Sequence, residues 1–181
     1  MAKQVGFYID MVKCYGCKTC VVSCKLHNKT SPNVSYRHVR EFSTDLPASL
    51  SFLSMACNHC ADPACLKACP TGAYEKLDNG IVKQNHDYCI GCKMCVMACP
   101  YNTPQFDPDE GKTSKCDYCY DRYLEGKKPR CVESCPAGAL VAGELDELRA
   151  TYVGVQEFQG LPKAEVTHPS IVIRISPNIE S

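Results

Sequence analysis

The sequence lacks most of the features that would assign a common activity to it. No apolar run approaches the ~20 residues that a membrane-spanning helix needs. Lys and Arg total 20 and so do Asp and Glu, so the chain lacks the basic excess of a nucleic-acid-binding protein. The G-x-G-x-x-G, Walker and H-E-x-x-H motifs are absent. We therefore expect no direct membrane span, no nucleic-acid partner and no catalytic residues on the lone chain.

The first ten residues also lack the apolar core and small-residue cleavage site of a secretory signal. This pattern predicts synthesis in the cytoplasm. It also favours metal binding over disulfide formation for any cysteines, because stable disulfides belong to oxidising compartments.

Cysteine is abundant, at 16 of 181 residues, and falls into four groups of four with none left over. The groups are Cys14, Cys17, Cys20, Cys24; Cys57, Cys60, Cys65, Cys69; Cys89, Cys92, Cys95, Cys99; and Cys116, Cys119, Cys131, Cys135. The first and third have the spacing C-x2-C-x2-C-x3-C, with which bacterial ferredoxins bind iron–sulfur clusters. Four such groups would saturate four [4Fe–4S] clusters, and a protein with four clusters is expected to conduct electrons.

Disulfides and zinc are the alternatives to clusters. Cysteines only two residues apart share a metal more readily than they bridge each other. C-x2-C pairs do build zinc ribbons, but a third cysteine two residues later has no role in a zinc site. His59 lies between two candidate ligands, and we expect it to hydrogen-bond within its loop because no ligand position is left for it.

Similar local units recur along the chain. Gly16 and Gly91 lie inside the first and third groups, where they allow backbone N–H groups to point at sulfur. Short helices are predicted over 19–24 and 94–99. The first of these is expected to extend toward Asn28, because no proline follows its last cysteine.

The remaining pattern predicts an α+β, loop-rich fold. Short strands are predicted after the sequences Cys-Pro-Thr-Gly-Ala and Cys-Pro-Ala-Gly-Ala. The other predicted elements are strands 5–9, 33–42 and 171–175, a helix at 144–152, and loops 102–112 and 121–130. Arg37 is expected on a solvated strand face or at a partner contact.

Bound clusters would make the protein strongly negative. Each oxidised cubane core carries about +2 and its four thiolates −4, so four clusters bring the neutral chain to roughly −8. About half of the lysines beside ligands are expected to offset this charge, and the others to be solvated. These lysines are Lys13, Lys18, Lys25, Lys93 and Lys115. The apolar fraction of 45% includes the cysteines, so the apolar content left to form a conventional core is small. We therefore also expect the clusters to supply much of the folding free energy.

The four groups have to be partnered, because in two-cluster ferredoxins the fourth cysteine of each run binds the other cluster. Spacing alone leaves nested and sequential pairing both open.

Longer motifs resemble the four-cluster iron–sulfur subunit of the dimethyl sulfoxide reductase family of molybdopterin oxidoreductases. They are GFYID (6–10), GCKTC (16–20), CNHCADPAC (57–65), CIGC (89–92), CDYCYDR (116–122), GKKP (126–129), CVESCP (131–136) and HPSIVI (168–173). The resemblance covers nearly the whole chain and is more specific for fold and cofactors than for substrate. It departs at 101–104, where relatives often have Gly-Ala before the proline.

The resemblance implies two nested ferredoxin-like units, each binding two [4Fe–4S] clusters. Residues 1–45 with 105–150 would form the outer unit, 46–104 the inserted unit, and 151–181 a C-terminal tail that packs on the body or on a partner subunit. The implied ligand sets are Cys14, Cys17, Cys20, Cys135 (cluster 1); Cys24, Cys116, Cys119, Cys131 (cluster 2); Cys57, Cys60, Cys65, Cys99 (cluster 3); and Cys69, Cys89, Cys92, Cys95 (cluster 4). Some relatives lack a cysteine at the position of Cys92 and carry a [3Fe–4S] centre. Its presence here implies four [4Fe–4S] clusters.

The same resemblance implies an electron-transfer subunit that is not itself an enzyme. It would relay electrons between a large molybdopterin-containing catalytic subunit and a membrane quinol-reacting subunit or a soluble carrier. Relatives can be exported with the catalytic subunit, so cytoplasmic and membrane-associated locations both stay open. The alternative is an electron-transfer subunit of a hydrogenase or formate dehydrogenase complex. An iron–sulfur sensor would need a DNA-binding or signalling domain, and the sequence shows neither.

Overall fold

The computed structural model of the chain describes residues 3–44, 49–177 and 179. Within them the fold is α+β, with short elements joined by loops. The strands are β1 (Val5–Asp10), β2 (His38–Thr44), β3 (Ser49–Met55), β4 (Tyr74–Lys76), β5 (Val82–Gln84), β6 (Gln105–Asp107), β7 (Lys112–Ser114), β8 (Leu140–Glu144) and β9 (Ile171–Arg174). The helices are α1 (Thr19–Asn28), α2 (Ala64–Lys67), α3 (Met94–Ala98), α4 (Tyr120–Leu124), α5 (Arg130–Glu133) and α6 (Leu145–Thr151), with 3₁₀ turns at His86–Tyr88 and Ala164–Val166. None of the described helices is long and apolar enough to cross a membrane.

A three-stranded sheet, in the order β8-β1-β9, forms the main core. β1 is buried along its whole length, and it pairs antiparallel with β8 and parallel with β9. Phe7, for example, lies opposite Ala142 on one side and Ile171 on the other. Helix α6 covers this sheet, and the ring of Tyr8 stacks on that of Tyr152 at 4.0 Å. The sheet thus joins segments from both ends of the chain.

This sheet also brings two distant cysteine groups together. β1 leads into the loop that contains Cys14, and β8 begins shortly after Cys135. The Asp10 N–H donates to the Ala139 carbonyl at 2.8 Å, at the point where the two segments meet. Helices α1 and α5, which carry further cysteines of the same two groups, pack against each other.

The two middle cysteine groups lie around a second, smaller core. The hairpin β4–β5 contributes Tyr74 and Val82 to it, and helices α2 and α3 contribute Cys65 and Cys95. The hairpin β2–β3 connects the first group to this region. The short elements therefore serve mainly to place cysteines.

Most sequence-predicted elements are confirmed, with two differences. Helix α1 extends to Asn28, and strands follow both Pro-x-Gly-Ala sequences. The predicted strand 33–42 begins only at His38. The predicted loops 102–112 and 121–130 were partly wrong, because they contain β6 and the end of α4. The β6–β7 turn is closed by Asp107, whose carboxylate accepts the Asp109 N–H at 3.0 Å. The turn-forming residues of this segment led to the prediction of a loop, although short strands lie on both sides of the turn.

Candidate iron–sulfur centres

The segments that precede the first and third cysteine groups form turns that are closed by hydrogen bonds to a side chain. The Asp10 carboxylate accepts the Val12 N–H at 3.0 Å, and the Cys14 N–H donates to the Asp10 carbonyl at 3.0 Å. The Asn85 side chain accepts the Asp87 N–H at 2.9 Å in the corresponding position of the third group. Both groups are therefore entered through Asx turns.

The glycines inside these groups adopt the conformation that the sequence predicts. Gly16 has a φ of 76° and Gly91 a φ of 69°, in the left-handed region that favours glycine. Burial raises the pKa of Cys14, and the Gly16 backbone acts in the opposite direction. The Gly91 backbone likewise lowers the pKa of Cys89. The left-handed conformation expected of both glycines is confirmed.

The two Pro-x-Gly-Ala sequences form the same turn around the last cysteine of their groups. The Ala73 N–H donates to Cys69 Sγ at 3.3 Å, and the Ala139 N–H donates to Cys135 Sγ at 3.3 Å. The glycine before each alanine has a positive φ, of 64° and 60° respectively. A repeated sequence thus produces a repeated sulfur environment.

Two cavities combine three cysteines of one group with the last cysteine of another. The first is lined by Cys14, Cys17, Cys20 and Cys135. The second is lined by Cys69, Cys89, Cys92 and Cys95. Lys18 and Lys93 occupy matching places beside them.

The outer groups also supply a buried set of four cysteines. Burial and the charge of Cys131 together raise the pKa of Cys24 to about 11. Burial likewise raises the pKa of Cys119 to about 12, with Cys131 and Cys24 acting in the same direction. The pKa of Cys116 is raised by burial and by the charges of Cys24 and Cys119. These charge interactions associate Cys24 with three cysteines of the fourth group.

The remaining four cysteines form a similar set. Burial, together with the charges of Cys57 and Cys99, raises the pKa of Cys60 and of Cys65 to about 12. At pH 7 such thiols are neutral without a metal. Binding of metal must therefore displace their protons.

The arrangement fits clusters better than single ions. All sixteen cysteines lie in the described part of the protein, and all are free thiols. Among the described residues, no three His, Cys, Asp or Glu side chains converge closely enough to hold one metal ion. Zinc would draw four sulfurs to ~2.3 Å from a single point. Here the cysteines of two of the sets instead line a space between them and do not converge on a single point, which suits a cofactor with several metal atoms.

Hydroxyl groups lie beside several of these sulfurs. The buried Thr113 hydroxyl is 3.4 Å from both Cys89 Sγ and Cys95 Sγ. The Thr103 hydroxyl is 3.4 Å from Cys99 Sγ, in the segment where the sequence departs from its relatives. A hydrogen bond to sulfur stabilises the more negative, reduced state of a cluster and raises its reduction potential.

Replacement of Thr113 by valine should therefore lower the potential of the cluster at Cys89 and Cys95. We expect a change of less than tenfold in the oxidised-to-reduced ratio, which is under ~59 mV for a one-electron couple. Redox titration monitored by electron paramagnetic resonance (EPR) measures the shift. Thr103→Val is the matched control, because it should shift the cluster at Cys99 instead. A local effect of each hydroxyl would be contradicted if both variants shifted the potentials of the same clusters by the same amount.

Two buried cations lie among the cysteines. Arg37 is only 1% exposed, so its expected place on a solvated or partner-facing surface was wrong. Lys115 is 5% exposed and donates from Nζ to the Cys116 carbonyl at 3.0 Å and to the Val82 carbonyl. Burial lowers the pKa of Lys115, but the thiolates of Cys57 and other cysteines raise it above its usual value. No local pattern distinguishes Arg37 from a surface arginine, because its anionic neighbours are distant in sequence.

The other lysines beside ligands have different roles. Lys25 donates to the Val34 carbonyl at 2.6 Å and so closes a loop. The Lys93 ammonium lies 3.9 Å from the centroid of the Phe106 ring. Lys13 and Lys18 are exposed. Among the five lysines, only Lys115 is buried between cysteines.

His59 is a hydrogen-bonding residue, as expected. It is fully buried, and its Nδ1 accepts the Val82 N–H at 3.1 Å. Its carbonyl accepts from the Gln4 amide at 3.1 Å and from the Ser170 hydroxyl at 3.0 Å. Burial holds the pKa of His59 well below its usual value, so the ring is neutral.

Comparison with protein families gives the class of the protein. A family model described as a 4Fe-4S dicluster domain matches residues 48–145, and a second of the same description matches residues 13–74. The chain is therefore a ferredoxin-type iron–sulfur protein with two dicluster domains. Two dicluster domains and sixteen cysteines correspond to four [4Fe–4S] clusters, as expected from the sequence.

Individual relatives give the family. Over 188 residues the sequence is 45% identical to the B subunit of the anaerobic dimethyl sulfoxide reductase of Escherichia coli, covering 98% of this chain and 92% of that protein. It is 38% identical to the thiosulfate reductase electron transfer subunit of Salmonella typhi, covering 81% and 79%. It is 35% identical to the iron–sulfur subunit of the nitrate-inducible formate dehydrogenase of Escherichia coli, covering 92% and 64%. This protein belongs to the family of iron–sulfur electron-transfer subunits of molybdopterin oxidoreductases.

Proposed function

We propose that this chain passes electrons between a large molybdopterin-containing catalytic subunit and a second partner, either a membrane quinol-reacting subunit or a soluble carrier. Relatives named as subunits of dimethyl sulfoxide and thiosulfate reductases support this proposal. The observation that carries it is that Cys17 and Cys92, which belong to the two end sets proposed below, are the exposed cysteines among the sixteen. A row open at both ends suits a relay between two partners.

We propose four ligand sets, each with three cysteines from one group and one from another. They are Cys14, Cys17, Cys20, Cys135; Cys24, Cys116, Cys119, Cys131; Cys57, Cys60, Cys65, Cys99; and Cys69, Cys89, Cys92, Cys95. The two cavities support the first and last sets. The mutual influence of the thiols on their pKa values supports the two middle sets.

We further propose the nested layout, with an outer unit of 1–45 plus 105–150, an inserted unit of 46–104, and a tail of 151–181. The proximity of Cys135 to the first group supports the outer unit. Pairing of β9 with β1 supports a tail that packs on the body. The two family-model matches overlap at residues 48–74 and do not follow these boundaries.

Contacts between neighbouring sets support a linear order. Cys131 influences the pKa of Cys20, which links the first set to the second. Cys57 influences that of Cys116, which links the second set to the third. The small core that contains both Cys65 and Cys95 links the third to the fourth. The middle sets are mostly buried, whereas the terminal sets each reach the surface.

Exposed apolar side chains lie near cysteines of both terminal sets. Near Cys17 they are Val12, Tyr15 and Val22, and near Cys92 they are Tyr88, Ile90, Met94 and Met97. Exposed apolar patches mark interaction sites. We assign one partner to each of these surfaces.

A bound cluster supplies reversible one-electron transfer. The residues of the chain hold the sulfurs at fixed positions, donate hydrogen bonds to them and exclude water from the middle sets. Four cysteines per cluster leave no coordination position for a substrate, so we propose that the lone chain is not a catalyst. We expect cytoplasmic synthesis, followed by work in the cytoplasm or at a membrane through partners.

Purification of the protein from its native host tests this function. We expect ~16 iron and ~16 sulfide per chain, together with a molybdopterin-containing subunit identified by mass spectrometry. A value near 8 would mean that only two clusters are bound. Co-purification with a hydrogenase subunit, or with no redox partner at all, would overturn the proposed complex.

A formate dehydrogenase complex is the second candidate, because the formate dehydrogenase relative is 35% identical to this chain. Identity to the dimethyl sulfoxide reductase relative is higher, at 45%, and favours a reductase. The catalytic partner recovered with the protein distinguishes the two.

A further inference from the structure

Arg37 is a buried guanidinium whose hydrogen bonds are incomplete. Its Nη1 donates to the Ser54 carbonyl at 3.0 Å and to the Ser54 hydroxyl at 3.1 Å. Its Nε and Nη2 have no partner among the described residues. A buried charge in this condition is strongly destabilising unless an opposite charge lies nearby.

The opposite charge comes from cysteines of two proposed ligand sets. Burial alone lowers the pKa of Arg37, but nearby thiolates raise it above its usual value. Those thiolates are Cys20 of the first set and Cys131, Cys116 and Cys24 of the second. Arginine remains charged at every accessible pH, so this positive charge is permanent.

Ser54 and Phe7 define how the guanidinium is held. The Ser54 hydroxyl accepts a hydrogen bond from Arg37 and lies 3.2 Å from Cys20 Sγ. The charge of Arg37 therefore polarises a hydroxyl group that contacts a sulfur of the first set. The Phe7 ring lies 5.1 Å below the guanidinium carbon and keeps water from one face. The cation is therefore fixed in position beside both sets.

We propose that Arg37 is a positioning and tuning residue shared by the first and second clusters. The proposal rests on the ligand sets proposed above. A fixed positive charge favours the reduced, more negative state of a cluster, so Arg37 raises the reduction potentials of both. We expect the third and fourth clusters not to depend on it, since the cysteines that act on Arg37 belong to the first and second sets.

The test is an EPR-monitored redox titration of the full chain loaded with its clusters. Arg37→Gln should lower two of the four midpoint potentials, each by about tenfold in the oxidised-to-reduced ratio, or ~59 mV for a one-electron couple. Arg37→Lys keeps the charge and should restore most of both potentials. Arg40→Gln is the matched control, because Arg40 is exposed on the adjacent strand and should shift none.

Three outcomes would overturn the proposal. Arg37→Gln could leave all four potentials unchanged, or shift all four equally. Alternatively, Arg37→Lys could shift the potentials as far as Arg37→Gln does, which would indicate packing rather than charge. If the Arg37→Gln protein fails to bind two of its clusters, the reduction potentials of the Arg37→Lys protein decide whether the proposal holds. Near-normal potentials in the lysine variant support the proposal, and lowered potentials or failure to bind clusters reject it.

Failure of this inference is distinguishable from failure of the proposed ligand sets. The ligand sets are tested by Cys24→Ser and Cys135→Ser, which should remove the second and the first cluster respectively. If each variant loses a different cluster from the one expected, the ligand sets fail, whatever Arg37 does. If both lose the expected cluster, only the variants of Arg37 bear on this inference.

Discussion

Substitution of Cys24 by serine is expected to abolish the second cluster, for which we propose Cys116, Cys119 and Cys131 as the other ligands, and to leave the first cluster in place. Cys24 is in the same sequence group as Cys14, but the charge of Cys131 acts on its pKa, and α1 packs against α5. EPR spectra should lose the signal of one cluster, and iron content should fall by ~4 per chain.

The reciprocal substitution is the matched control. Cys135→Ser should remove the first cluster and spare the second, because Cys135 lines the cavity with Cys14. The two variants should therefore lose different clusters, the second in Cys24→Ser and the first in Cys135→Ser. Selective loss of the first cluster in Cys24→Ser would show that each group binds its own cluster, and crossed ligation would be rejected.

Removal of all clusters is expected to abolish cooperative unfolding of the protein. Helices α2 and α5 have 4 residues each, and α3 and α4 have 5. Isolated helices shorter than ~12 residues are marginal in water. Arg37 and Lys115 would also lose the negative charge that compensates their burial. Circular dichroism of chelator-treated, reduced protein should show a broad thermal change where the loaded protein shows a sharp one.

Reconstitution is the control for this experiment. Anaerobic addition of iron and sulfide to the treated protein should restore the sharp transition, which separates loss of clusters from chemical damage. A sharp, cooperative transition in the cluster-free protein would contradict the prediction that clusters supply much of the folding free energy.

The cysteine environment was largely predictable from sequence because its determinants are local. The conformations of Gly16 and Gly91 follow from turns of a few residues, and so do the strands after Ala73 and Ala139. The extension of α1 to Asn28 follows from the absence of a single proline.

The features that sequence missed depend on residues distant along the chain. Arg37 is buried where the charges of cysteines from the first and fourth groups act on it, and nothing near Arg37 in sequence signals this. The contacts of Ser54 with Cys20 and of Thr113 with Cys95 likewise join separate segments. Such hydroxyls resemble any other serine or threonine in a strand until the fold places them at sulfur.

The repeated turn at Cys69 and Cys135 has an evolutionary consequence. In both copies the donor to sulfur is a main-chain N–H, which no substitution except proline removes. The two copies differ in a side chain, because the Thr71 hydroxyl lies 3.5 Å from Cys69 Sγ where the other copy has Ala137. If the two copies arose by duplication of one segment, both clusters would have inherited the same main-chain hydrogen bond to sulfur. Substitutions at positions 71 and 137 would then change the reduction potential of one cluster without changing the backbone of either turn.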